Sequence, residues 1–402
     1  MKTSEILDFA IDEKKCKLNI FKSYILYFIL GIHTVRAVYY AFSTEWGGLN
    51  FFEIMILQSY FMFMIFIFEI PSGAIADYLG RKKALSLSGI SLVAAATFYG
   101  IYPHIFLFFI GETFWSFSIA LSSGTLEAFL YSTLKLYGKE NELSKILGRT
   151  QTLNLIALTL SAPLGSIIAA TVSLQFTMNC LAIVYFGAFL ITLTLKEPPY
   201  RNEKYSKNYL NILKEGFKEL KRNKVLRILC FDRVIIGVLI YFLFWTYQPY
   251  LQAVNVPLLL FGFITSLMNI TNAVFMNLIP KLFKSIKKKA MLLILIDLIN
   301  GFAFILLGLT LNPILGIFII LIIVGFGYPR FLIYVKGINK QIESEDRATV
   351  LSTINMFGSL IMAIIYPFVG IIVMWNLFAV FIVIGAMILT LTLTTRVRSE
   401  YL

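Results

Sequence analysis

Cysteine, histidine and charged residues are scarce in this chain of 402 residues. The three cysteines, Cys16, Cys180 and Cys230, show no paired spacing, so neither a disulfide framework nor a cysteine zinc site is predicted. Two histidines, His33 and His104, are too few for a metal cluster. The GxxxxGK[ST] loop that binds nucleotides is missing, and so is any pairing of a nucleophile with a base. We therefore expect no metal, no cofactor and no enzymatic activity.

Hydrophobic residues are abundant: they make up 58% of the chain, charged residues 14%, and the mean hydropathy is +0.81. These values lie outside the range of soluble globular domains and indicate a polytopic membrane protein. A helix needs about 20 apolar residues to cross a bilayer. Twelve such segments are predicted, at 20–42, 52–76, 84–102, 105–133, 148–171, 174–195, 228–251, 257–280, 290–311, 314–337, 348–371 and 374–395. They are too long for the strands of a membrane barrel, so the predicted fold is all-α.

Basic residues lie in alternate connections between these segments. All lysines and arginines except Arg36, Arg233 and Arg330 fall in the connections of one side, and residues 1–19 contain no cleavable signal sequence. By the positive-inside rule, both termini of this multi-pass protein are predicted to be cytoplasmic. The high content of Lys, Ile and Phe with few Cys favours a prokaryotic plasma membrane. The net charge of +13 is then explained by topology and by anionic lipid headgroups, without a nucleic-acid partner.

The longest polar stretch, 196–227, divides the predicted segments into two groups of six. The predicted organisation is an N-terminal half (1–195), a cytoplasmic central loop (196–227) and a C-terminal half (228–402). Apolar residues at helical spacing in 209–221 predict an amphipathic surface helix, with a solvated tether as the alternative. The basic connections 73–83 and 277–289 occupy the same place in each half, which indicates a duplicated unit.

The first of these connections carries a recognisable motif. Gly73, Asp77, Gly80, Arg81 and Lys82 follow the second segment with the spacing G-x-x-x-D-x-x-G-R-K. This motif resembles the loop 2–3 signature of the major facilitator superfamily, and EIPSGAIADYLGRKK is similar to prokaryotic drug-exporter-like members. The resemblance extends to the twelve helices in two sets of six. It implies a secondary transporter that works by alternating access.

Within the motif, Gly73 is expected to allow close helix approach and Gly80 a tight reversal of the chain. The resemblance implies a gating cluster in which Asp77 and Arg81 join an acid at the cytoplasmic end of segment 4, for which Glu127 is the candidate. Such a cluster would latch the halves together in one state. The alternative is that these bases only set the topology.

Charges inside the predicted spans need partners, because a charge at mid-bilayer costs at least roughly 2.5–3.5 kcal/mol. Arg36 lies about 24 Å along segment 1 from the predicted cytoplasmic side. Glu112 on segment 4 falls at a similar height, so an Arg36–Glu112 pair is predicted. Many exporters of the resembled family carry an arginine at the segment 4 position, so the polarity here is swapped.

In the C-terminal half, Asp232, Asp297 and Arg330 fall in the same third of the bilayer. We expect Asp232 or Asp297 to neutralise Arg330. The resemblance implies that helices 1, 4, 7 and 10 line the central cavity, which includes all of these charges except Asp297. A purely architectural ion pair is the alternative for each.

Aromatic side chains on the same four helices could bind substrate; the candidates are Tyr39, Trp115, Trp245 and Tyr328. Packing and membrane-interface roles are the alternative. In segment 5, SAPLGS (161–166) resembles the antiporter signature of the family, with Ala162 and Ser166 where glycines are usual.

Three functions follow from these observations. The leading hypothesis is a monomeric exporter that exchanges an amphipathic small molecule for protons, with Glu112 or Asp232 as the proton carrier. The alternative is uptake of an anionic metabolite by proton symport, with Arg36 and Arg330 binding the anion. A membrane sensor or scaffold without transport is disfavoured, because no polar stretch is long enough for an appended soluble domain.

Overall fold

The computed structural model describes residues 13–198, 218–286, 288–342 and 347–402. Within these ranges the chain is helical and contains no strand. Twelve of the described helices are long and apolar enough to span a membrane, which confirms the predicted all-α fold. The predicted amphipathic helix at 209–221 lies largely outside the described residues, as does most of the central loop.

The spanning helices are named α1 to α12. The first six are α1 (Glu13–Gly31, continuing in short turns from Arg36 to Trp46), α2 (Phe51–Leu79), α3 (Arg81–Ile101), α4 (Ile105–Ser122 and Thr125–Lys135), α5 (Leu143–Thr171) and α6 (Leu174–Thr194). The other six are α7 (Lys224–Tyr241 and Leu243–Ala253), α8 (Leu258–Ser285), α9 (Lys289–Leu309), α10 (Pro313–Gly327, Tyr328–Arg330 and Phe331–Lys340), α11 (Arg347–Trp375) and α12 (Leu377–Thr394).

Four helices are interrupted: α1, α4, α7 and α10. Helix α1 loses its regular form at 32–35, where Ile32, Thr34 and Val35 are β-branched and therefore weak helix formers. Helix α4 breaks at Gly124, whose φ of +72° is a left-handed conformation that favours glycine. The interruptions matter because an irregular backbone exposes polar groups that a regular helix would satisfy internally.

The remaining two interruptions occupy the equivalent helices of the C-terminal half. Helix α7 breaks at Phe242, and α10 changes to a 3₁₀ turn over Tyr328–Arg330. Pro329 within this turn lacks an N–H for the helical hydrogen bond. The four helices that the family resemblance assigned to a cavity are thus the ones that lose regularity.

The chain divides into two compact units. One comprises Met1–Leu49 with Tyr60–Ser206, and the other comprises Asn50–Ser59 with Lys207–Leu402. In the first unit, α1, α3, α4, α5 and α6 enclose an apolar core whose members include Leu26, Leu85, Phe129, Leu130 and Ala188. Burial of this apolar surface positions the second segment of α4, Thr125–Lys135.

In the second unit, α9 and α12 pack closely through small residues. A Cβ atom added at Gly385 would lie 2.6 Å from the Gly301 carbonyl oxygen, which is closer than side chains allow. Phe304 and Phe381 are buried in the same unit. This packing brings the first half of α9 beside the end of α12 and positions the charged group described next.

Candidate functional site

The second unit buries three charged side chains from three helices. Asp232 lies in the first segment of α7, Asp297 in the first half of α9, and Arg330 in the interruption of α10. Arg330 Nε donates to Asp297 Oδ1 at 2.5 Å and Nη2 donates to Oδ2 at 2.8 Å. Nη2 also donates to Asp232 Oδ1 at 2.5 Å. Arg330 is therefore paired with both carboxylates that the sequence offered as partners, one of them in two-point geometry.

Two hydroxyl groups complete the coordination of Asp232. Tyr334, one helical turn after Arg330, donates to Oδ1, and Thr395 at the end of α12 donates to Oδ2 at 2.7 Å. The third nitrogen of the guanidinium, Arg330 Nη1, donates to the Asp232 carbonyl oxygen at 3.3 Å. Four helices, α7, α9, α10 and α12, thus meet at one group of polar side chains, called here the carboxylate cluster (Asp232, Asp297, Arg330, Tyr334 and Thr395).

Burial and charge count give the carboxylate cluster its chemistry. The exposed fraction of the side chain is 2% for Arg330, 3% for Asp297 and 10% for Asp232. With both carboxylates ionised, the three charges sum to −1, and a buried charge without compensation is unfavourable. Binding of one proton restores neutrality. The cluster can therefore hold a proton between two acids that share one guanidinium.

Arg233, the residue after Asp232, has a different environment. Its guanidinium lies over the Phe331 ring, 6.0 Å from the centroid. Among the described hydrogen bonds and ion pairs of the carboxylate cluster, none includes Arg233. The basic partner of the two acids is Arg330.

In the first unit, the interruption of α1 rests against α5. The His33 N–H donates to Ser161 Oγ at 3.0 Å, and Thr34 Oγ1 donates to the Thr177 carbonyl at 2.7 Å. A Cβ atom added at Gly165 would overlap the Thr34 carbonyl oxygen. The SAPLGS segment, which includes Ser161 and Gly165, therefore accommodates the irregular backbone of α1.

Glu112 and Tyr39, two predicted site residues, lie on either side of Tyr99. The Tyr99 hydroxyl donates to Glu112 Oε1 at 2.5 Å and lies 3.4 Å from the Tyr39 hydroxyl. Both Glu112 and Tyr99 are buried. Arg36 is partly buried at the start of the 3₁₀ turn of α1. Its pairing with Glu112 stays a prediction, while the Tyr99 hydroxyl is an established partner of the carboxylate.

Trp115 belongs to an aromatic group around the α1 interruption. Its ring stacks on His33 with centroids 5.6 Å apart, and Tyr185 and Tyr99 contact Trp115 edge-on at 5.9 and 6.3 Å. His33 Nδ1 is buried without a hydrogen-bond partner among the described residues. A buried polar atom of this kind can bind a ligand or a water molecule. The group offers flat apolar surface beside a polar atom with free bonding capacity.

The two predicted aromatic residues of the second unit lie close to interruptions. Trp245 is the third residue of the second segment of α7, and its Nε1 donates to the Tyr366 hydroxyl at 3.0 Å. Tyr328 is the first residue of the α10 turn that ends at Arg330. Both positions are compatible with substrate contact, and their predicted role remains a prediction.

The motif between α2 and α3 forms a tight reversal at Gly80, whose φ is +91°. Arg81 then reaches across to α4, where Nη1 donates to the Ala128 carbonyl and to Ser132 Oγ. The backbone N–H groups of Arg81 and Lys82 donate to the two carboxylate oxygens of Glu197 at 2.9 and 2.6 Å. Glu197, at the start of the central loop, thus satisfies the free donors at the beginning of α3.

The other gating candidates are placed as follows. Asp77 is exposed in the last turn of α2, before the reversal at Gly80. Glu127 is exposed in the first turn of the second segment of α4. It directly precedes Ala128, whose carbonyl Arg81 contacts. A Cβ atom added at Gly73 would meet nothing within 4 Å in the described part of the chain, so close helix approach does not explain this glycine. The Asp77–Arg81–Glu127 cluster stays a prediction.

Five polar residues of these sites were not anticipated from the sequence as site residues. They are Tyr99, Ser161, Glu197, Tyr334 and Thr395. Each bonds a residue on another helix or loop, so no local spacing marks it. The available signal for Tyr334 was its position one helical turn after Arg330 on the same face.

Comparisons with known proteins agree with this architecture. The sequence matches the family model of the Major Facilitator Superfamily over residues 19–335, and no curated protein matches it. The nucleoside transporter NupG has a TM-score of 0.79 at 15% identity, over 94% of this chain and 98% of that one. The D-xylose-proton symporter has a TM-score of 0.70 at 11% identity, over 95% and 98% of the two chains.

A third similar structure, the peptide transporter POT in complex with sulfate, has a TM-score of 0.73 at 13% identity, over 94% of this chain and 93% of that one. At such identities the likeness shows the fold alone, while the family match covers most of the sequence. The twelve spanning helices and the motif between α2 and α3 are consistent with that match. The chain therefore belongs to the Major Facilitator Superfamily and is a membrane transporter rather than an enzyme.

Proposed function

We propose that this protein is a proton-coupled secondary transporter that exports amphipathic small molecules by alternating access. In this proposal the chain works as a monomer in the plasma membrane, with both termini in the cytoplasm. The basic connections on one side of the membrane support that orientation. Protons move inward through the protein as substrate moves outward.

The observation that carries proton coupling is the charge of the carboxylate cluster. Two carboxylates share one guanidinium in a buried site, so a bound proton changes the cluster from −1 to neutral. Protonation of Asp232 weakens its charge-assisted bond to Arg330 and loosens the tie between α7 and α10. Because both helices are interrupted, a change in this tie can alter how their segments pack.

Substrate binding is assigned to the interrupted helices and their aromatic side chains. Support comes from the positions of Trp115 and Tyr39 on interrupted helices of the first unit and of Trp245 and Tyr328 on interrupted helices of the second. Flat aromatic surface favours amphipathic ligands, and Glu112 would favour a cationic or zwitterionic group. The antiporter-like SAPLGS segment, which holds the α1 interruption, supports exchange rather than symport.

Uptake of an anionic metabolite by proton symport is the alternative. It needs arginines that are available to the anion, and four N–H groups of Arg330 are already donated to Asp232 and Asp297. Arg36 would then have to bind the anion without Arg330. The carboxylate cluster therefore favours export of a cation or zwitterion over this alternative.

The test uses purified protein in liposomes that contain a pH-sensitive dye. A panel of lipophilic cations, zwitterions and organic anions is added under an imposed proton gradient. Proton flux triggered by cations or zwitterions is the expected result, and flux triggered by anions alone would replace export with the symport alternative. Absence of flux with every compound would contradict proton coupling.

Two variants make this test specific. Asp232→Asn is expected to abolish substrate-triggered proton flux. Glu400→Gln makes the same charge change at an exposed carboxylate, 65% exposed and paired with an exposed Arg398, and should retain the flux. Equal flux in wild type and Asp232→Asn would remove Asp232 from the mechanism.

A further inference from the structure

We propose that a cavity between α7 and α12 is the water-filled route by which Asp232 exchanges its proton with the aqueous phase. The inference rests on the proposed proton coupling and adds the path to the site. It locates that path at the end of the second unit where α7 begins and α12 ends.

The cavity has a volume of 360 Å³ and adjoins the carboxylate cluster. A water molecule occupies about 30 Å³ in the liquid, so there is room for a short chain of waters. Its lining belongs entirely to the two helices and the residues that follow α12. The lining residues are Arg227, Ile228, Phe231, Asp232, Ile235, Ile236, Leu391, Thr394, Thr395 and Arg396.

Asp232 is the acid of the carboxylate cluster that this cavity reaches. It lines the cavity, whereas Asp297 does not. The exposed fraction of the Asp232 side chain is 10%, against 3% for Asp297. A proton from water can therefore reach Asp232 directly. Asp297 is not among the residues that line this cavity.

The hydrogen bonds of Asp232 leave a position for that proton. A carboxylate offers about four acceptor positions. Oδ1 accepts from Arg330 and Tyr334, whereas Oδ2 accepts only from Thr395 among the described residues. Oδ2 is thus the oxygen with capacity left. Its one partner, Thr395, also lines the cavity.

Thr395 is held in a fixed orientation at this point. Its Oγ1 accepts from the Val397 N–H at 3.3 Å while its own hydroxyl proton is donated to Asp232. The threonine therefore cannot turn away without losing both bonds. It keeps Oδ2 beside the cavity.

Charged and titratable groups face Asp232 from several elements. Arg330 and Tyr334 face it from α10, and Asp297 faces it across Arg330 from α9. Arg227 on α7 and Arg396 after α12 line the cavity. Cys230 and Arg233 are close in sequence on α7, and α11 adds no Asp, Glu, Lys, Arg or His among its described side chains. Two guanidinium groups therefore line the cavity together with Asp232.

The experiment fills the cavity without changing a charge. Thr394→Cys is labelled with N-ethylmaleimide in a Cys180→Ser background, because Cys180 is the native cysteine that is not buried. Thr390→Cys, one turn earlier on α12 and exposed but outside the cavity lining, is the matched control. Substrate-triggered proton flux and substrate counterflow at uniform pH are measured in liposomes for both labelled proteins.

Labelling at position 394 is expected to lower the ratio of proton flux to counterflow by about tenfold, equivalent to ~1.4 kcal/mol in the barrier. Labelling at position 390 should leave the ratio as it was. An unchanged ratio in the Thr394→Cys protein would overturn the route. If counterflow and proton flux fell by the same factor, the route would also be overturned. The cavity would then contribute to the conformational change that both processes need. Absence of flux in unlabelled protein would instead contradict the proposed function.

Leu391→Trp provides a second variant if the cysteine protein does not fold. The larger side chain fills the cavity from α12, and Leu393→Trp, at a residue 83% exposed and outside the cavity lining, is its control. The ratio of proton flux to counterflow is expected to fall for Leu391→Trp and to stay unchanged for Leu393→Trp. The same ratio for both tryptophan variants would exclude the cavity as the proton route.

Discussion

Arg330 binds both oxygens of Asp297, through Nε at 2.5 Å and through Nη2 at 2.8 Å. The Arg330 side chain is 2% exposed and shares Nη2 with Asp232. Removal of a single buried guanidinium therefore leaves two buried carboxylates without their basic partner.

Arg330→Gln is expected to destabilise the protein by about 3–5 kcal/mol, the usual cost of an uncompensated buried charge. Thermal unfolding in detergent measures the loss. Adding Asp297→Asn and Asp232→Asn to this variant should restore part of the stability, because no buried charge then remains. If Arg330→Gln unfolds at the wild-type temperature, the ion pairs do not stabilise the second unit.

Asp297→Asn tests the charge balance of the carboxylate cluster. The variant leaves one carboxylate facing one guanidinium, so the surplus negative charge that attracts a proton is gone. Substrate-triggered proton flux is expected to fall to background, with the dependence of counterflow on pH reduced. Flux measurements over a range of pH in liposomes provide the check. Flux equal to that of wild type would show that Asp232 alone, not the shared charge, determines proton binding.

Glu197→Gln tests the carboxylate at the start of α3. A neutral amide interacts more weakly with the two N–H groups and with the positive end of the helix. We expect a loss of about 1 kcal/mol in stability, as for other helix caps. Glu142→Gln is the control, since the Glu142 side chain caps nothing at the start of α5. Equal unfolding temperatures for the two variants would contradict a capping role.

Gly165→Ala tests the fit between α5 and the interruption of α1. The added methyl group would overlap the Thr34 carbonyl oxygen, so the helices must separate. We expect destabilisation by about 1–3 kcal/mol. Gly148→Ala on the same helix meets nothing within 4 Å and should have little effect or stabilise the helix. Comparable stability of the two variants would show that α1 adjusts easily.

Trp115→Leu tests the aromatic group of the first unit. Loss of the indole removes the stacked partner of His33 and flat surface for an amphipathic ligand. The KM for a transported compound from the liposome panel is expected to rise about tenfold, equivalent to ~1.4 kcal/mol of binding. Trp375→Leu, at a residue 82% exposed, should leave KM unchanged. An unchanged KM in Trp115→Leu would assign the group to packing.

Composition and hydropathy were sufficient to predict the twelve spanning helices, because bilayer thickness dictates their length. The need to neutralise an intramembrane arginine was sufficient to place Asp232 and Asp297 near Arg330. The sequence did not reveal that Arg330 binds both acids at once. That arrangement depends on the close approach of α9 and α12 through Gly301 and Gly385, which brings Thr395 and the first half of α9 together.

The gating motif shows where prediction from sequence stops. The positive φ of Gly80 follows from local chemistry, so the reversal was predictable. Glu197 lies more than a hundred residues away along the chain, and only the packing of α6 beside α3 brings it to the start of α3. Glu127 was favoured by its position near the predicted cytoplasmic end of segment 4, and in the structure it is exposed on α4.

The left-handed conformation of Gly124 divides α4 into two helical segments, Ile105–Ser122 and Thr125–Lys135. Glu112 lies on the first segment, while Arg81 donates hydrogen bonds to the Ala128 carbonyl and to Ser132 on the second segment. A left-handed glycine interrupts a helix, so the two segments need not share one straight axis. A change in the orientation of the segment that carries Glu112 therefore need not move the segment that Arg81 contacts by the same amount.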